Sequence, residues 1–193
     1  MAYPATLLVL AGGRSRRMGR PKALLPVQGT TLIEWVARRL EPRFDELLVA
    51  AAEPAQLPPG LRGCFVGDLR PGAGPLAGIE AGLAVARHPT LVAVACDMPY
   101  VTPALAGRLA AAAAGHDAAV PRTGGLADPA CAAYRRSARD PISAALDRGR
   151  RRAAEALAGL DVNWLEDVDL ALLGNLNTSA EYRAFLAGIA KTR

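Results

Sequence analysis

Short runs of consecutive apolar residues alternate along this chain with longer stretches in which apolar residues recur every three or four positions. Unbroken apolar runs are typical of strands buried on both faces, and the longer period is typical of amphipathic helices. The runs predict strands at 7–10, 46–52, 61–66, 91–96, 118–121, 130–134 and 162–165. The periodic stretches predict helices from 30 or 31 to 40, at 75–87, 102–114, 141–148 and 151–158, and from 178 onward.

This alternation of strands and helices predicts the α/β class. We expect one Rossmann-like domain over residues 1–193, with a mostly parallel sheet and helices on both faces. A chain of 193 residues, of which 51% are hydrophobic and 21% charged, suffices for one well-buried core. Ligands of such sheets bind beyond the carboxyl ends of the strands, so polar residues at those ends are the first candidates for chemistry.

The end of the first predicted strand is the most informative of these positions. There the sequence LLVLAGGRSRRMGRPKALLP runs from a buried strand into a loop rich in glycine and arginine. Gly12 and Gly13 permit a sharp turn that brings backbone N–H groups close to an anion. Lys22 stands out because 21 of the 23 basic residues are arginines and Lys191 is the only other lysine. The loop therefore predicts a phosphate site in which a compact ammonium contacts phosphoryl oxygens.

Two other strand ends carry carboxylates. Asp97 directly follows the fourth predicted strand, and a lone carboxylate beside a triphosphate is a usual way to hold Mg2+. Asp68 follows the third strand. Both have a purely structural alternative: Asp97 as the cap of the next helix, for which Thr102 is better placed, and Asp68 as a turn residue with local hydrogen bonds.

The spacing of the first loop is neither that of a P-loop nor that of a dinucleotide fingerprint. Its pattern, L-A-G-G-x-x-x-R-M-G-x-x-K-x-L-L, resembles the signature of the molybdenum cofactor guanylyltransferases, which are MobA-like nucleotidyltransferases. The segments G-P-L-A-G, C-D-M-P-Y and N-L-N-T match further elements of that family in the same order. The resemblance covers nearly the whole chain and implies the fold of the nucleotide-diphospho-sugar transferases.

The resemblance implies an activity and a set of site residues. The activity is transfer of GMP from GTP to the terminal phosphate of molybdopterin or its molybdenum form, with release of pyrophosphate. Lys22 and Asp97 would be catalytic, and Asp97 would hold the Mg2+ cofactor. The implied nucleotide and pterin contacts are Leu10, Ala11, Gly12, Gly13, Arg17, Lys22, Ala50, Asp68, Gly74, Gly78, Asp97, Asn175 and Asn177. Transient contact with molybdopterin-carrying proteins or molybdoenzyme chaperones is also implied.

Four of these assigned residues have a local rationale in the sequence. Asn175 and Asn177 precede the T-x-x-E spacing of a capping box, which places them in a loop just before the last helix. Gly74, Gly78 and Gly82 recur every four residues, so we expect them on one helix face that packs closely on the sheet, leaves room for a ligand, or does both.

The chain departs from the family pattern at two of its positions. The family frequently has Asn after the second strand, where this chain has Ala50, so a nucleotide contact there would come from the backbone. The segment Asp128–Arg135 resembles a family element that usually starts with His or Gln. Because Asp128 stands at that position, the resemblance does not establish how this chain recognises the acceptor.

Composition narrows the remaining function classes. The net charge is +5 and the pI about 9.6, but the basic cluster at 148–152 carries no interleaved aromatic residues, so we expect no nucleic-acid partner. No stretch approaches the roughly 20 apolar residues of a membrane span and the N-terminus lacks a leader pattern, so we expect a cytoplasmic protein. Three cysteines and two histidines without ligand spacing argue against a zinc site or a disulfide framework.

Three alternatives remain at this point. A molybdopterin cytidylyltransferase would use CTP, although relatives of that type tend to carry L-A-A-G where this chain has L-A-G-G. Sugar-phosphate and phosphocholine nucleotidyltransferases usually have longer acceptor-binding parts than 193 residues accommodate easily. A non-catalytic carrier of nucleotide or pterin would not need both Lys22 and Asp97.

Overall fold

The computed structural model describes residues 3–11, 21–70, 72–150, 155 and 157–191. Within these ranges the strands are β1 (Tyr3–Leu10), β2 (Pro26–Val27), β3 (Thr30–Thr31), β4 (Phe44–Ala51), β5 (Phe65–Gly67), β6 (Thr90–Ala95), β7 (Ala118–Thr123), β8 (Leu126–Ala127), β9 (Cys131–Arg135) and β10 (Val162–Leu165). The helices are α1 (Leu32–Leu40), α2 (Pro75–Val85), α3 (Pro103–Ala112), α4 (Arg139–Asp147) and α5 (Ser179–Lys191). The predicted helix at 151–158 lies mostly outside the described residues.

The main sheet has eight strands in the order β10-β7-β9-β6-β1-β4-β5, with β8 paired to β7. Neighbours from β6 to β5 are parallel, as are β10 and β7, while β9 runs antiparallel to both β6 and β7. The structure thus confirms the predicted mostly parallel sheet. The reversed β9 has a consequence for the site, because it starts at the edge where β6 ends.

Helices cover both faces of the sheet, and the side chains of β1 show why. Leu7 and Val9 point into a core shared with α1 and α3, whereas Leu8 and Leu10 point into a second core shared with α2 and α4. Successive strand residues face opposite sides, so an unbroken apolar run must be covered twice. The burial of both faces explains why helices are predicted on both sides of the sheet.

Most predicted element boundaries hold to within a few residues, but the third strand is shorter than predicted. The segment Pro59–Cys64 forms 3-10 turns, and only Phe65–Gly67 pairs with β4. Prolines at 58 and 59 fix the backbone for a turn, which Leu61 closes by donating its N–H to the Pro58 carbonyl at 3.0 Å.

Two helix starts confirm their predicted caps. Thr31 and Glu34 form a reciprocal capping box at α1, and the Thr102 hydroxyl accepts a hydrogen bond from the Leu105 N–H at 3.2 Å at α3. Asp97 is therefore not the cap of α3. Its carboxylate remains available for the site.

A small antiparallel pair, β2 and β3, follows the 3-10 turn Lys22–Leu24 and was not predicted. Its connection is Gln28 and Gly29, both with positive φ, as two-residue hairpins require. Strands of two residues are too short to leave a hydrophobic pattern. Among the described residues, no helix is long and apolar enough to cross a membrane.

Candidate active site

The carboxyl ends of β6, β1, β4 and β5 lie side by side and are joined by backbone hydrogen bonds beyond the regular ladders. Cys96 donates to the Leu10 carbonyl at 3.0 Å and Ala11 to the Ala50 carbonyl at 2.8 Å. Asp68 donates to the carbonyl of residue 51 at 3.2 Å. With strands about 4.8 Å apart, the edge from Asp97 to Asp68 spans about 14 Å. The sequence-predicted residues Leu10, Ala11, Ala50, Asp68 and Asp97 therefore share one edge.

Lys22 and Asp97 form an ion pair at this edge although 75 positions separate them in sequence. The Lys22 Nζ lies 2.7 Å from Asp97 Oδ2, and the two side chains are 14% and 21% exposed. The same Nζ donates to Asn177 Oδ1 at 2.9 Å. Two of the three N–H bonds of the ammonium are thus used within the described part of the chain. The third is left for another acceptor, such as a phosphate oxygen.

The loop that carries Asn175 and Asn177 is held against Asp97 by its backbone. Leu176, fully buried beside Phe185 of α5, donates its N–H to the Asp97 carbonyl at 2.8 Å. Buried Leu176 therefore anchors the loop, and Asn177 directly after it reaches Lys22, whereas the Asn175 amide donates to the Leu173 carbonyl at 3.3 Å.

The start of α5 fixes the other end of this loop. The Thr178 hydroxyl accepts from the Glu181 N–H, and the Glu181 carboxylate accepts from the N–H groups of Asn177 and Thr178 at 2.7 Å each. These hydrogen bonds, the one from Thr178 first, lower the pKa of Glu181. The predicted capping box is confirmed, with Thr178 as the cap and the helix proper beginning one residue later than predicted.

Asp68 has the local hydrogen bonds of a turn aspartate. Its Oδ1 accepts from the Arg70 N–H at 2.9 Å, and the Arg70 guanidinium binds buried Glu80 of α2 and Asp147 of α4. Asp68 therefore has the predicted alternative role of a turn residue, and it also lies at the edge of the sheet that forms the candidate site. Its contact with a nucleotide stays a prediction.

The three glycines of the β5–α2 region do not share one helix face, which corrects the sequence-based expectation. Gly74 precedes α2 as its N-cap with φ +81°, a conformation that favours glycine. A Cβ on Gly78 would lie 3.0 Å from Leu10 Cδ2, and one on Gly82 would lie 2.8 Å from Leu8 Cδ2. Gly78 and Gly82 thus pack α2 onto the sheet. The ligand contacts of Gly74 and Gly78 stay predictions.

Gly12, Gly13 and Arg17, the other predicted contacts, lie outside the described residues. The described positions that flank them are Ala11 at the end of β1 and Pro21 before the Lys22 turn. Ala11 lies at the carboxyl edge of the sheet, and Pro21 directly precedes Lys22, whose ammonium reaches that edge.

Asp128 joins this cluster, although the sequence identified it only as a departure from the family pattern. It stands three residues before β9, and the Ala95 N–H at the end of β6 donates to the Ala130 carbonyl of the same segment at 2.9 Å. Burial, as the largest cause, raises the pKa of the Asp128 carboxyl against the opposing hydrogen bonds from Ala130 and Asn175. What sequence reasoning missed is the antiparallel course of β9, which brings residue 128 beside the end of β6.

The neighbouring thiol is not suited to nucleophilic chemistry. Cys96, directly before Asp97, is buried, and that burial together with the adjacent carboxylate raises the pKa of its thiol to about 12. A thiol is nucleophilic as its thiolate. The polar groups of the site are therefore an ammonium, carboxylates and amides, which are suited to binding charged phosphates and cations.

The donor set around the Lys22 ammonium is also one that fits Mg2+. A carboxylate oxygen of Asp97 and an amide oxygen of Asn177 already surround one cation, the ammonium itself. Magnesium prefers such oxygens and usually takes one or two carboxylates with phosphate and water. Among the described residues, no group of three His, Cys, Asp or Glu side chains is placed to hold a metal without such help.

Together, the mixed α/β sheet and the cation-and-oxygen cluster at its carboxyl edge define a protein of the nucleotide-binding α/β class. Comparison with known sequences gives the particular family: residues 7–162 match the MobA-like NTP transferase domain. The chain belongs to this family of nucleotidyltransferases.

Individual relatives agree with this assignment. A protein of Pelotomaculum thermopropionicum named probable molybdenum cofactor guanylyltransferase is 37% identical over 176 residues, covering 91% of this chain and 85% of its own. The molybdenum cofactor guanylyltransferase of Pseudomonas putida KT2440 is 38% identical, with 84% of this chain and 87% of its own covered.

Solved structures show the same fold. Molybdopterin-guanine dinucleotide biosynthesis protein A from Archaeoglobus fulgidus superposes with a TM-score of 0.82 at 29% identity, covering 96% of this chain and 99% of its own. The 2-C-methyl-D-erythritol 4-phosphate cytidylyltransferase from Thermus thermophilus superposes with a TM-score of 0.72 at 23% identity, over 95% and 98% of the two chains. At that identity the second likeness concerns the fold.

Proposed function

We propose that this nucleotidyltransferase transfers GMP from GTP to the terminal phosphate of molybdopterin or its molybdenum form, releasing pyrophosphate. The observation that carries the proposal is the convergence of Lys22, Asp97 and Asn177 from three distant parts of the chain at one sheet edge. The names of the relatives support guanine and molybdopterin as the substrates.

The reaction needs little acid or base catalysis from the protein. A phosphate monoester has a second pKa near 6, so its oxygen is largely ionised at neutral pH. That oxygen attacks the α-phosphorus of GTP, the new P–O bond forms, and the bond to the β-phosphate breaks with its electrons going to pyrophosphate. The protein must align these groups and neutralise their charge.

Each described residue of the cluster has a place in this scheme. The third N–H of Lys22 binds a phosphoryl oxygen, and Asp97 with Asn177 would hold Mg2+ next to the triphosphate. When bound, the cation neutralises charge on the phosphates and supports departure of pyrophosphate. The backbone at Ala11 and Ala50, together with Asp68, lies along the 14 Å edge (about three strand spacings), where the nucleoside would extend.

The test is an assay of pyrophosphate release by the purified chain with Mg2+, molybdopterin and each nucleoside triphosphate in turn. Release with GTP, together with a product whose mass equals molybdopterin plus GMP, supports the proposal. Release with CTP in place of GTP would favour the cytidylyltransferase. Nucleotide binding with no release under any condition would favour a carrier and contradict the proposal.

A further inference from the structure

Glu80 is the only charged residue of α2, and its side chain is 5% exposed. A buried carboxylate is costly unless it is paired, and an apolar side chain of similar volume often stabilises a fold at least as well. The partner is Arg70, whose Nε lies 2.8 Å from Glu80 Oε2 and whose Nη2 lies 3.3 Å from Oε1. This two-point contact fixes the plane of the guanidinium, so the pair specifies a geometry.

The same guanidinium also binds α4. Its Nη1 donates to Asp147 Oδ1 at 2.6 Å, and its Nη2 donates to Ser143 Oγ at 3.1 Å. Arg70 therefore bridges α2 and α4 with one side chain. Because the donors of a guanidinium form a rigid fork, these hydrogen bonds hold residue 70 in one place relative to both helices.

The backbone of Arg70 connects this anchor to the edge of the sheet. Its N–H donates to Asp68 Oδ1 at 2.9 Å, and its carbonyl accepts from the Ala73 N–H at 3.0 Å. Gly72 and Gly74 in the same connection adopt φ +80° and +81°, and glycine adds little stiffness to a backbone. The direction of the Asp68 carboxylate therefore depends on where Arg70 is held.

Resting on the proposed function, we propose that Arg70, fixed by buried Glu80, is a positioning residue for the nucleoside. Its backbone N–H holds the Asp68 carboxylate at the end of the candidate edge remote from Lys22 and Asp97. An ionised carboxylate accepts hydrogen bonds, so the group that it receives there is an N–H or O–H donor of the nucleoside. Arg70 contacts neither the phosphates nor the acceptor in this scheme, and its effect is on nucleotide affinity rather than on the chemical step.

The test is calorimetric titration of GTP in the presence of Mg2+, together with steady-state kinetics, on the wild type and Arg70→Met. We expect the Kd for GTP to weaken about 3- to 10-fold, the effect of losing about one oriented hydrogen bond. The KM for GTP should rise by the same factor. The kcat at saturating GTP should stay within about twofold of the wild type, because Lys22 and Asp97 are unchanged. The KM for molybdopterin should not change.

The double variant Arg70→Met/Glu80→Met separates positioning from stability. Arg70→Met leaves the Glu80 carboxylate buried without its partner and should lower the Tm. The double variant removes the carboxylate as well and should recover most of that Tm, whereas its Kd for GTP stays about 3- to 10-fold weaker because the anchor is still absent. A double variant that binds GTP like the wild type would overturn the proposal. Should Arg70→Met fail to fold, the double variant alone decides.

A second arginine–glutamate pair supplies a matched control. Arg87 Nε lies 2.8 Å from Glu46 Oε1, whose side chain is 10% exposed, near the start of β4 at the opposite end of the sheet. Arg87→Met removes the same charge from a similar pair and should leave the Kd for GTP unchanged. If it weakened GTP binding as much as Arg70→Met does, the effect would be one of net charge and the proposal would be wrong.

The titration keeps this test separate from that of the proposed function. A wild type that binds GTP but releases no pyrophosphate with molybdopterin would contradict the proposed function, and the Kd comparison would still decide on Arg70. An unchanged Kd for Arg70→Met, in a protein whose wild type turns over GTP, would overturn the positioning role alone. A wild type that binds no GTP would overturn both.

Discussion

Replacing Lys22 by methionine is the most informative single substitution. It removes the positive charge and keeps the length and apolar body of the side chain. Loss of one charged donor to a reacting phosphoryl group costs about 100- to 1000-fold in rate, by analogy with the loss of one donor that stabilises a developing charge. We therefore expect kcat for pyrophosphate release from GTP to fall by that factor.

The same substitution has a structural effect whose size follows from the burial of the ion pair. Removing one partner costs about 3–5 kcal/mol for a buried pair and about 0–1 kcal/mol for an exposed one. With side chains 14% and 21% exposed, the Lys22–Asp97 pair lies between these limits, so we expect about 1–3 kcal/mol. For a chain of this size that corresponds to a Tm about 2–12 °C lower by calorimetry.

The other lysine supplies a matched control. Lys191 is exposed at the end of α5, and Lys191→Met should keep both the rate and the Tm of the wild type. Lys22→Arg keeps the charge but replaces a compact ammonium by a planar fork, so we expect it to recover more stability than rate. If Lys22→Met turned over GTP within about threefold of the wild type, Lys22 would not contact the reacting phosphates.

Three further predictions concern the scaffold. Gly82→Ala places a Cβ 2.8 Å from buried Leu8 and should lower the free energy of unfolding, measured by urea titration, by about 1–3 kcal/mol. Gly188→Ala in α5 adds a Cβ that meets no other atom within 4 Å and should raise that free energy by about 0.5–1 kcal/mol. Equal effects of the two substitutions would contradict the packing role of Gly82. Thr102→Ala removes the cap of α3 and should cost about 1 kcal/mol in the same titration, and an unchanged midpoint would refute the cap. Burial raises the pKa of the Glu46 carboxyl, but its hydrogen bonds with Thr6 and Arg87 outweigh burial, so the pKa lies below its ordinary value of 4.5. The ionised carboxylate therefore stabilises the fold at pH values above 4.5, and this stability is lost as the pH falls through the lowered pKa. Glu46→Gln should therefore flatten the loss of Tm below pH 4.5, and an unchanged slope would show that Glu46 does not contribute.

The strand order near the site could be predicted only in part from the sequence. The apolar runs at β1 and β6 mark them as central strands, because both faces are buried. The run at 130–134 predicts β9 as a strand but contains nothing that sets its direction. That direction decides that Asp128 reaches the site, so the sequence could flag the residue without placing it.

The contacts within the site could likewise be predicted only in part from the sequence. The strand ends of β6 and β1 predict that Asp97 and the first loop lie at one edge, because the carboxyl ends of parallel strands share an edge, and Lys22 at the end of that loop does contact Asp97. Asn177 and Lys22 are 155 positions apart, and their contact depends on the burial of Leu176, which a single leucine in a polar loop does not reveal. The resemblance to a known family supplied what local patterns could not.

The packing role of Gly78 and Gly82 shows a further limit. The four-residue spacing predicts a shared helix face for glycines inside a helix, but it cannot tell where the helix begins. α2 starts with Pro75, so Gly74 lies outside it with φ +81°. The predicted helix already began at Pro75, a favoured first helical residue, so the expectation of a shared face should not have included Gly74.

We propose that the carboxyl edge of the sheet, with Lys22 and Asp97, holds the triphosphate of GTP. A crystal structure of the chain with GTP and Mg2+ tests it most directly. We expect phosphate density within hydrogen-bonding distance of Lys22 Nζ, a cation at the Asp97 carboxylate, and the guanosine extended toward Asp68. Well-ordered nucleotide bound elsewhere on the protein, with the Lys22–Asp97 pair unchanged, would contradict it.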